Sequence, residues 1–294
     1  MGDARPLVWV EPCAGMAAVA MHVLGCEPLI AWMGGKRGYA PIILDGLGIR
    51  AGSGCARLVL ADAAPVGLVW EAFARGEGEA IVARLRDLHD ESERIGRREL
   101  WTRLRGEPAA MSGEDAAGWL VLAGWAFRAG QPSSGFAPDK PIGPLSVPVN
   151  ASLNTFSARA SALTIALRAS ALTVARDASA LTVARDASAR VAVFLDPPYV
   201  GTTGYDAALP REAVERIARE WADAGAEVLI TERTPMDGLD GWRHVKIASS
   251  RNGASEWLCL SPSVHWQAGE AVDLWPGLGV PGGSAMTGGV GRRK

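Results

Sequence analysis

The opening of the chain alternates between a short apolar run and an amphipathic segment. Residues 7–11, Leu-Val-Trp-Val-Glu, are apolar up to a final acid, and a tight Pro-Cys-Ala-Gly turn over 12–15 follows them. Residues 16–24 are then rich in alanine, valine and methionine and stop at a glycine. An apolar run, a turn and a helical segment predict the first unit of a doubly wound α/β sheet.

The same alternation continues into the middle of the chain. A second strand is predicted over 57–61, ending at Asp62, and a helix over 65–75. The segment 77–130 has mixed charges and then an apolar stretch, which indicates helices. Prolines and glycines between 130 and 148 exclude regular elements there and predict a long loop.

Three near-identical nonapeptides follow, at 161–169, 170–178 and 179–187. Nine residues are two and a half helical turns, so equivalent leucines would alternate between opposite helix faces. Within one unit the apolar positions alternate as in a strand, yet alanine favours a helix. The sequence leaves these two alternatives open, and a tandem duplication in a tolerant segment is the simplest interpretation.

The remaining chain returns to the α/β pattern. An apolar run at 191–195 predicts a buried strand, and an amphipathic helix is predicted over 212–221. Further strands are expected at 227–230, 244–247 and 257–260. The fold class expected from these elements is α/β, with a Rossmann-like sheet and a small helical and loop insertion.

Composition narrows the possible functions only slightly. The 294 residues are 48% hydrophobic, with a net charge of -2, so any nucleic-acid contact needs a local basic patch. Neither the four cysteines nor the four histidines have metal-ligand spacing, and the sequence predicts no metal and no disulfide. With no apolar run of membrane-spanning length and no leader, a cytoplasmic protein is expected.

The strongest chemical signal is the tetrapeptide Asp196-Pro197-Pro198-Tyr199, directly after a predicted strand. Open α/β sheets bind their ligands at this end of the strands. Two prolines fix the backbone, so the Asp196 carboxylate and the Pro197 carbonyl can accept hydrogen bonds from one amino group. Tyr199 adds a flat stacking surface. The tetrapeptide therefore predicts a planar substrate that carries an exocyclic NH2.

This tetrapeptide resembles that of amino-group DNA methyltransferases, and the rest of the chain is similar to the Dam-type, or D12 class, adenine-N6 group. The family's strand ending in Glu-Pro-Phe-x-Gly, which binds S-adenosylmethionine, is matched by residues 11–15, and its Trp-x-Gly-Gly-Lys segment by residues 32–36. Its acidic second strand resembles 58–65, which implies that Asp62 binds the ribose hydroxyls. The likeness covers about 7–75 and 191–261.

The chain departs from the family pattern at three points. Cys13 replaces the family's phenylalanine, and Ala17 replaces its second loop glycine. The segment 32–36 follows the Glu-Pro strand, whereas the family places it before that strand. The nonapeptide run lies directly before the catalytic strand.

The resemblance implies a transfer of the methyl group of S-adenosylmethionine to N6 of a flipped adenine in double-stranded DNA, without a metal. The domains expected are a cofactor half at 1–76, a target-recognition region at 77–158, the repeats at 159–190, a catalytic half at 191–262 and a disordered tail at 263–294. The site residues expected are Asp196, Pro197, Pro198 and Tyr199 for catalysis; Glu11, Pro12, Cys13, Ala14, Gly15, Trp32, Gly34, Gly35, Lys36 and Asp62 for the cofactor; and Tyr199, Tyr205, Arg128 and Lys140 for the substrate.

Other interpretations stay open at this stage. Asp62 could simply cap a helix ahead of Pro65, as aspartate often does. The acceptor could be cytosine N4, an RNA adenine or a protein amide. A decayed protein that only binds DNA or the cofactor is the alternative from another class.

Overall fold

The computed structural model describes residues 5–26, 29–30, 36–126, 135–137, 164–167, 188–199, 209–249 and 255–267. Within these ranges lies a seven-stranded sheet in the order β3-β2-β1-β4-β5-β7-β6. Its strands are β1 (Leu7–Glu11), β2 (Arg57–Ala61), β3 (Thr164–Leu167), β4 (Arg190–Leu195), β5 (Glu227–Glu232), β6 (Arg243–Ser249) and β7 (Ser255–Leu260).

All neighbouring strands from β3 to β5 pair in parallel, and β7 is antiparallel to both β5 and β6. The strand order reverses at β1, with β2 on one side and β4 on the other. This is the Rossmann-like α/β sheet expected from the sequence, and it confirms the fold class. Ligands of such sheets bind where the order reverses, at the carboxyl ends of the strands.

The described helices lie between and beside these strands. They are α1 (Ala18–Val23), α2 (Ala40–Gly46), α3 (Val66–Ala74), α4 (Gly78–Ile95), α5 (Arg97–Arg105), α6 (Pro108–Ser112), α7 (Ala116–Trp125) and α8 (Arg211–Asp223). A short 3-10 turn, Lys36–Gly38, precedes α2. The segment predicted as helical from 77 onwards is thus four helices, each separated from the next by a few residues.

The central strands are apolar throughout because both faces of the sheet are covered. Along β1, Trp9 packs into the core on one face, while Val8 and Val10 pack into the core on the other. Trp9 also stacks on Phe194 of β4, with 6.4 Å between the ring centroids. Parallel strands buried on both faces have continuous hydrophobic runs, as this strand does.

The helices α4 to α7 belong to the same core as the sheet. Leu88, Leu100 and Trp119 are almost completely buried in the cluster that also contains Trp9. The helix α7 is apolar on all sides, and Asp115 caps it by accepting a hydrogen bond from the Gly118 amide at 2.9 Å. The region from 77 onwards is therefore anchored on the sheet domain by α7.

The first nonapeptide supplies the edge strand β3. Its residues Thr164–Leu167 pair in parallel with β2, from Leu58 opposite Thr164 to Ala61 opposite Leu167. These four residues therefore form a strand and not a helix. Pairing with β2 satisfies the hydrogen-bonding groups of their backbone. Residues 168–187, which include the other two units, lie outside the described residues.

Packing continues past position 262, where the sequence placed the start of a disordered tail. Val264 is buried, Trp266 packs against the core, and the Gln267 amide donates to the Gly46 carbonyl at 2.8 Å. Residues 268–294 lie outside the described residues.

None of the helices in the described ranges has the length and apolar character that a bilayer crossing requires.

Candidate active site

Three carboxylates follow or end three neighbouring strands at one edge of the sheet. Glu11 is the last residue of β1, Asp62 follows β2, and Asp196 follows β4. Because β1 lies between β2 and β4 in parallel register, these strand ends are adjacent. The Asp196 charge raises the pKa of Glu11, although less than burial does, which agrees with their proximity.

The turn between β1 and α1 has the backbone shape of a glycine-rich loop. Gly15 and Ala17 both have a φ of 48°, and Ala17 is the only residue other than glycine with a positive φ in the described ranges. This left-handed conformation is natural for glycine and costs an L-residue about 1–2 kcal/mol. Ala17 thus adopts a conformation that favours glycine despite its side chain.

Asp62 holds this loop in place. Its Oδ2 accepts a hydrogen bond from the Gly15 amide and its Oδ1 accepts one from the Ala64 amide, both at 2.8 Å. Burial raises the pKa of Asp62, and these two hydrogen bonds oppose the rise. The N-cap of α3 is Pro65, so the simple capping interpretation of Asp62 is wrong. Contact with ribose hydroxyls stays a prediction, for which each carboxylate oxygen still has a lone pair.

Glu11 is attached to the first turn of α1. It is 2% exposed, and its Oε1 accepts hydrogen bonds from the Trp9 indole at 2.8 Å and from the Ala20 amide at 2.7 Å. The N-cap residue Ala17 has no side-chain acceptor for the amides of the first helical turn. Glu11 accepts the hydrogen bond of one of them, the Ala20 amide, in its place. Burial raises the pKa of Glu11 to about 8.

A Glu11→Gln variant should lose a pH dependence of stability. The pKa of Glu11 is raised from 4.5 to about 8 on folding, so the wild type loses stability as pH rises through this window and levels off above it. The amide oxygen of glutamine can keep both hydrogen bonds. Relative to the wild type, the free energy of unfolding of the variant should therefore rise by about 3 kcal/mol between pH 5 and pH 8.5.

Urea unfolding followed by tryptophan fluorescence at a series of pH values measures this difference. A Glu79→Gln variant is the control, because Glu79 is exposed on α4. Unfolding free energies of wild type and Glu11→Gln that run parallel from pH 5 to pH 8.5 would contradict the assignment.

Cys13 lies between the two halves of the site. Burial raises the pKa of its thiol, and the carboxylates of Asp62 and Asp196 raise it further. The thiol therefore stays protonated at neutral pH, and Cys13 contributes packing to the loop rather than a nucleophile.

The Asp196 carboxylate is held on one side only. Its Oδ1 pairs with the Lys36 ammonium at 2.8 Å and accepts a hydrogen bond from the Thr231 hydroxyl at 2.6 Å. Neither contact uses Oδ2, and the side chain is 22% exposed. Two donors on one oxygen fix the rotamer of Asp196 and leave the other oxygen able to accept a hydrogen bond from a ligand.

Lys36 connects the cofactor half of the chain to the catalytic motif. Its side chain is 3% exposed, and its ammonium lies 4.8 Å from the centre of the Tyr199 ring. Burial is the largest single influence and disfavours the charge, but the Asp196 carboxylate, Tyr199 and Glu256 together more than offset it, so the pKa of Lys36 is raised. The sequence assigned Lys36 to the cofactor; the structure brings it to Asp196, although its segment follows β1 in the chain.

Tyr199 is surrounded by charged groups. The Arg233 guanidinium lies 5.8 Å from its ring centre, and Glu256 of β7 is close enough to affect its pKa. Burial is the main cause of the raised pKa of Tyr199, followed by the Asp196 charge. The pKa of Glu256 is also raised, mainly by burial.

Thr231, Arg233 and Glu256 were not predicted as site residues. Thr231 and Glu256 lie in strands whose predicted ends, at 230 and 257, stopped one residue short of them. The sequence did not reveal that β5 lies next to β4 in the sheet. That neighbourhood would have indicated that the end of β5 borders the motif at 196–199.

The described residues bring together most of the predicted catalytic and cofactor positions. Pro197 is buried directly after Asp196, and Pro12 to Gly15 form the loop beside it. Six predicted residues lie outside the described residues: Trp32, Gly34, Gly35, Tyr205, Arg128 and Lys140. Among the described residues, no group of three or more His, Cys, Asp or Glu side chains could hold a metal ion.

Comparison with known proteins adds a similarity to solved structures but none in sequence. No protein-family model matches the chain, and no curated protein matches it in sequence. The chain is similar to the rRNA methyltransferase aviRa from Streptomyces viridochromogenes, with a TM-score of 0.40 and 18% identity over 90% of this chain and 79% of that one. The fold assignment rests on the strand order and register of the sheet.

Proposed function

We propose that this protein transfers the methyl group of S-adenosylmethionine to the N6 amino group of adenine in DNA. One observation carries the proposal: Asp196 has one oxygen engaged by Lys36 and Thr231, while the other remains available next to Pro197. This pair of acceptors directly follows β4, which borders the strand that leads into the glycine loop. The amino group that receives the methyl group and the nucleoside cofactor would then meet where the strand order of the sheet reverses.

The loop after β1 has features that suit the cofactor. Asp62 fixes the Gly15 amide, and the Trp70 indole donates to the Gly15 carbonyl at 2.8 Å, so the loop backbone is held from both sides. A positive φ at Gly15 lets the backbone approach a ligand closely. S-adenosylmethionine, when bound, supplies a methyl group on a positively charged sulfur. Asp62 and the 11–15 loop are the residues that would hold it.

Asp196 and Pro197 would act by orienting a weak nucleophile. The N6 lone pair of adenine is delocalised into the ring, and hydrogen bonds from both N–H groups to Asp196 Oδ2 and the Pro197 carbonyl favour a more tetrahedral nitrogen. The same carboxylate would stabilise the positive charge that develops on N6 as the N–C bond forms and the bond between the methyl carbon and sulfur breaks, its electron pair staying on sulfur. The nitrogen would then release one proton to Asp196 Oδ2 and from there to water, which restores a neutral amine.

Tyr199 would hold the flipped base. An adenine inside a duplex cannot reach the cofactor, so it must leave the base stack. Tyr199 follows Asp196 and Pro197 closely in the chain. Its ring can stack on the base, as aromatic rings in flipped-base pockets do. Lys36 contacts this ring as well as Asp196, which ties the stacking surface to the acceptor.

The test is a transfer assay with a product analysis. Purified protein is incubated with S-adenosylmethionine labelled on its methyl group and with unmethylated DNA, and the nucleosides are analysed by mass spectrometry. N6-methyladenine in the DNA supports the proposal. Parallel assays with RNA and with protein detect the other acceptors, and label found only in N4-methylcytosine, RNA or protein would overturn the DNA-adenine assignment.

Calorimetric titration with S-adenosylmethionine separates an enzyme from a decayed relative. Binding of the cofactor together with transfer supports the proposed activity. No binding, together with no transfer to any acceptor, would mean that the site has lost its function.

A further inference from the structure

Arg233 is an exposed cation on the rim of the acceptor site. It follows the last residue of β5, and its guanidinium carbon lies 5.8 Å from the centre of the Tyr199 ring. Alternate residues of a strand point to the same side, so Arg233 continues the side on which Thr231 binds Asp196. The end of β5 therefore borders both the catalytic carboxylate and the stacking ring.

The backbone of Arg233 is fixed. The Arg233 amide donates to Glu232 Oε1 at 2.7 Å, and the Arg211 guanidinium donates to the Thr234 hydroxyl at 3.2 Å and to the Pro235 carbonyl. The segment after β5 is thus attached to the start of α8. The long side chain can change its direction while its Cα stays at the rim.

Arg233 has no carboxylate partner within ion-pair distance among the residues that the structure describes. The nearby acid Glu256 is close enough to Lys36, Tyr39 and Tyr199 for them to affect its pKa, and the Arg233 charge is not among those influences. An exposed guanidinium on an aromatic ring keeps its N–H edges available for an anion. Its ring contact is worth only about 0.5–1 kcal/mol at an exposed site, so a phosphate can displace it.

We propose that Arg233 binds a backbone phosphate next to the flipped nucleotide. The guanidinium lies over the ring on which the base would stack, so the base and Arg233 compete for Tyr199. Movement of Arg233 onto the phosphate would free the ring and place a fork of donors on an anion that suits it. The chain has a net charge of -2, so this local cation supplies an attraction that the overall charge does not. This inference rests on the proposed function, because it requires a nucleotide at Tyr199.

The experiment compares ligands with and without phosphates. Binding of a fluorescent single-stranded oligodeoxyadenylate of about ten nucleotides is measured by anisotropy, without cofactor, at several salt concentrations. Deoxyadenosine, which has no phosphate, is measured by calorimetry. The variants are Arg233→Gln, Arg233→Lys and the control Arg216→Gln, whose arginine is exposed on α8.

We expect Arg233→Gln to weaken oligonucleotide binding about 5- to 10-fold and to reduce the salt slope by about 0.7, the value for one contact with a single strand. Arg233→Lys should keep most of the salt slope, because it keeps the charge. Arg216→Gln should change neither quantity. Binding of deoxyadenosine should not weaken in Arg233→Gln, and should strengthen by about two- to fivefold, because the base no longer competes with the Arg233 guanidinium for the Tyr199 ring.

The outcomes separate this inference from the proposed function. An oligonucleotide affinity and salt slope of Arg233→Gln equal to those of Arg216→Gln would overturn the phosphate contact, even if the wild type methylates DNA. A slope that depends on Arg233 in a protein that transfers no methyl group to DNA would retain the contact and remove the proposed activity. Circular dichroism of each variant checks that the fold is unchanged.

Discussion

Replacing Asp196 by asparagine is expected to lower kcat for methyl transfer to DNA by about 10²- to 10³-fold, the range for loss of one preorganised hydrogen bond at a reacting group. Cofactor affinity should stay within about twofold, because Asp62 and the loop after β1 are unchanged. Single-turnover transfer of labelled methyl groups and calorimetric titration with S-adenosylmethionine measure the two quantities.

The loss follows from the number of donors around Asp196. Lys36 and Thr231 both donate to Oδ1, and the substrate amine would donate to Oδ2. An asparagine has only one acceptor oxygen, so its NH2 must face either the substrate amine or the Lys36 ammonium. Both orientations place a donor against a donor. Asparagine is preferable to alanine here because its carbonyl oxygen can still accept a hydrogen bond from the buried Lys36 ammonium, whereas alanine removes both the opposite charge and the acceptor.

A double variant tests this explanation. In Asp196→Asn with Lys36→Met, the amide NH2 can turn towards Thr231, whose hydroxyl also accepts hydrogen bonds, and the carbonyl oxygen can face the substrate. The double variant should recover part of the lost kcat. Asp223→Asn, on the exposed surface of α8, is the control for a charge change elsewhere. A normal kcat in Asp196→Asn would rule out Asp196 as the acceptor of the amine.

Deleting two of the three nonapeptides is expected to prevent β3 and β4 from occupying the sheet together. The connection between these strands runs from 168 to 189, and β2 and β1 lie between them in the sheet. Parallel strands need a crossover of a dozen or more residues. Removal of 170–187 leaves four residues, which span about 14 Å at most, no more than the sideways distance across three strand spacings.

The comparison is with a deletion of one unit. Removal of 170–178 leaves 13 connecting residues, enough for a crossover, so this variant should fold. We expect its melting temperature to lie within a few degrees of that of the wild type, and that of the two-unit deletion to be lower by more than about 10 °C, followed by circular dichroism. Equal melting temperatures of the two deletions would show that β3 does not depend on this connection.

The sequence was sufficient to predict the sheet because both faces of the central strands are buried. Such strands are apolar runs, as at 7–11 and 191–195, and they are visible without knowledge of their neighbours. The edge strand β3 was ambiguous for the opposite reason. Its alanine-rich unit suits helix and strand alike, and pairing with β2, which is distant in sequence, decides between them.

The candidate site was predictable only where a local motif marked it. Asp196 and Tyr199 could be identified from the order of residues in their turn. The role of Thr231 could not, because it depends on the neighbouring position of β4 and β5 and on a hydroxyl that reaches across to Asp196. Lys36 was assigned to the cofactor from its segment alone, since no sequence pattern reveals an ion pair between two residues 160 positions apart.

The ion pair between Lys36 and Asp196 gives the two substrates a means of influencing each other. Lys36 directly follows the 32–35 segment that resembles a cofactor-binding sequence, while Asp196 is the residue proposed to bind the amine of the substrate. If occupancy of one side moves the ammonium, the orientation of the carboxylate on the other side changes with it. Thermodynamic linkage then requires each ligand to alter the affinity of the other by the same factor. The measurable consequence would be an affinity for either substrate that changes when the other is bound.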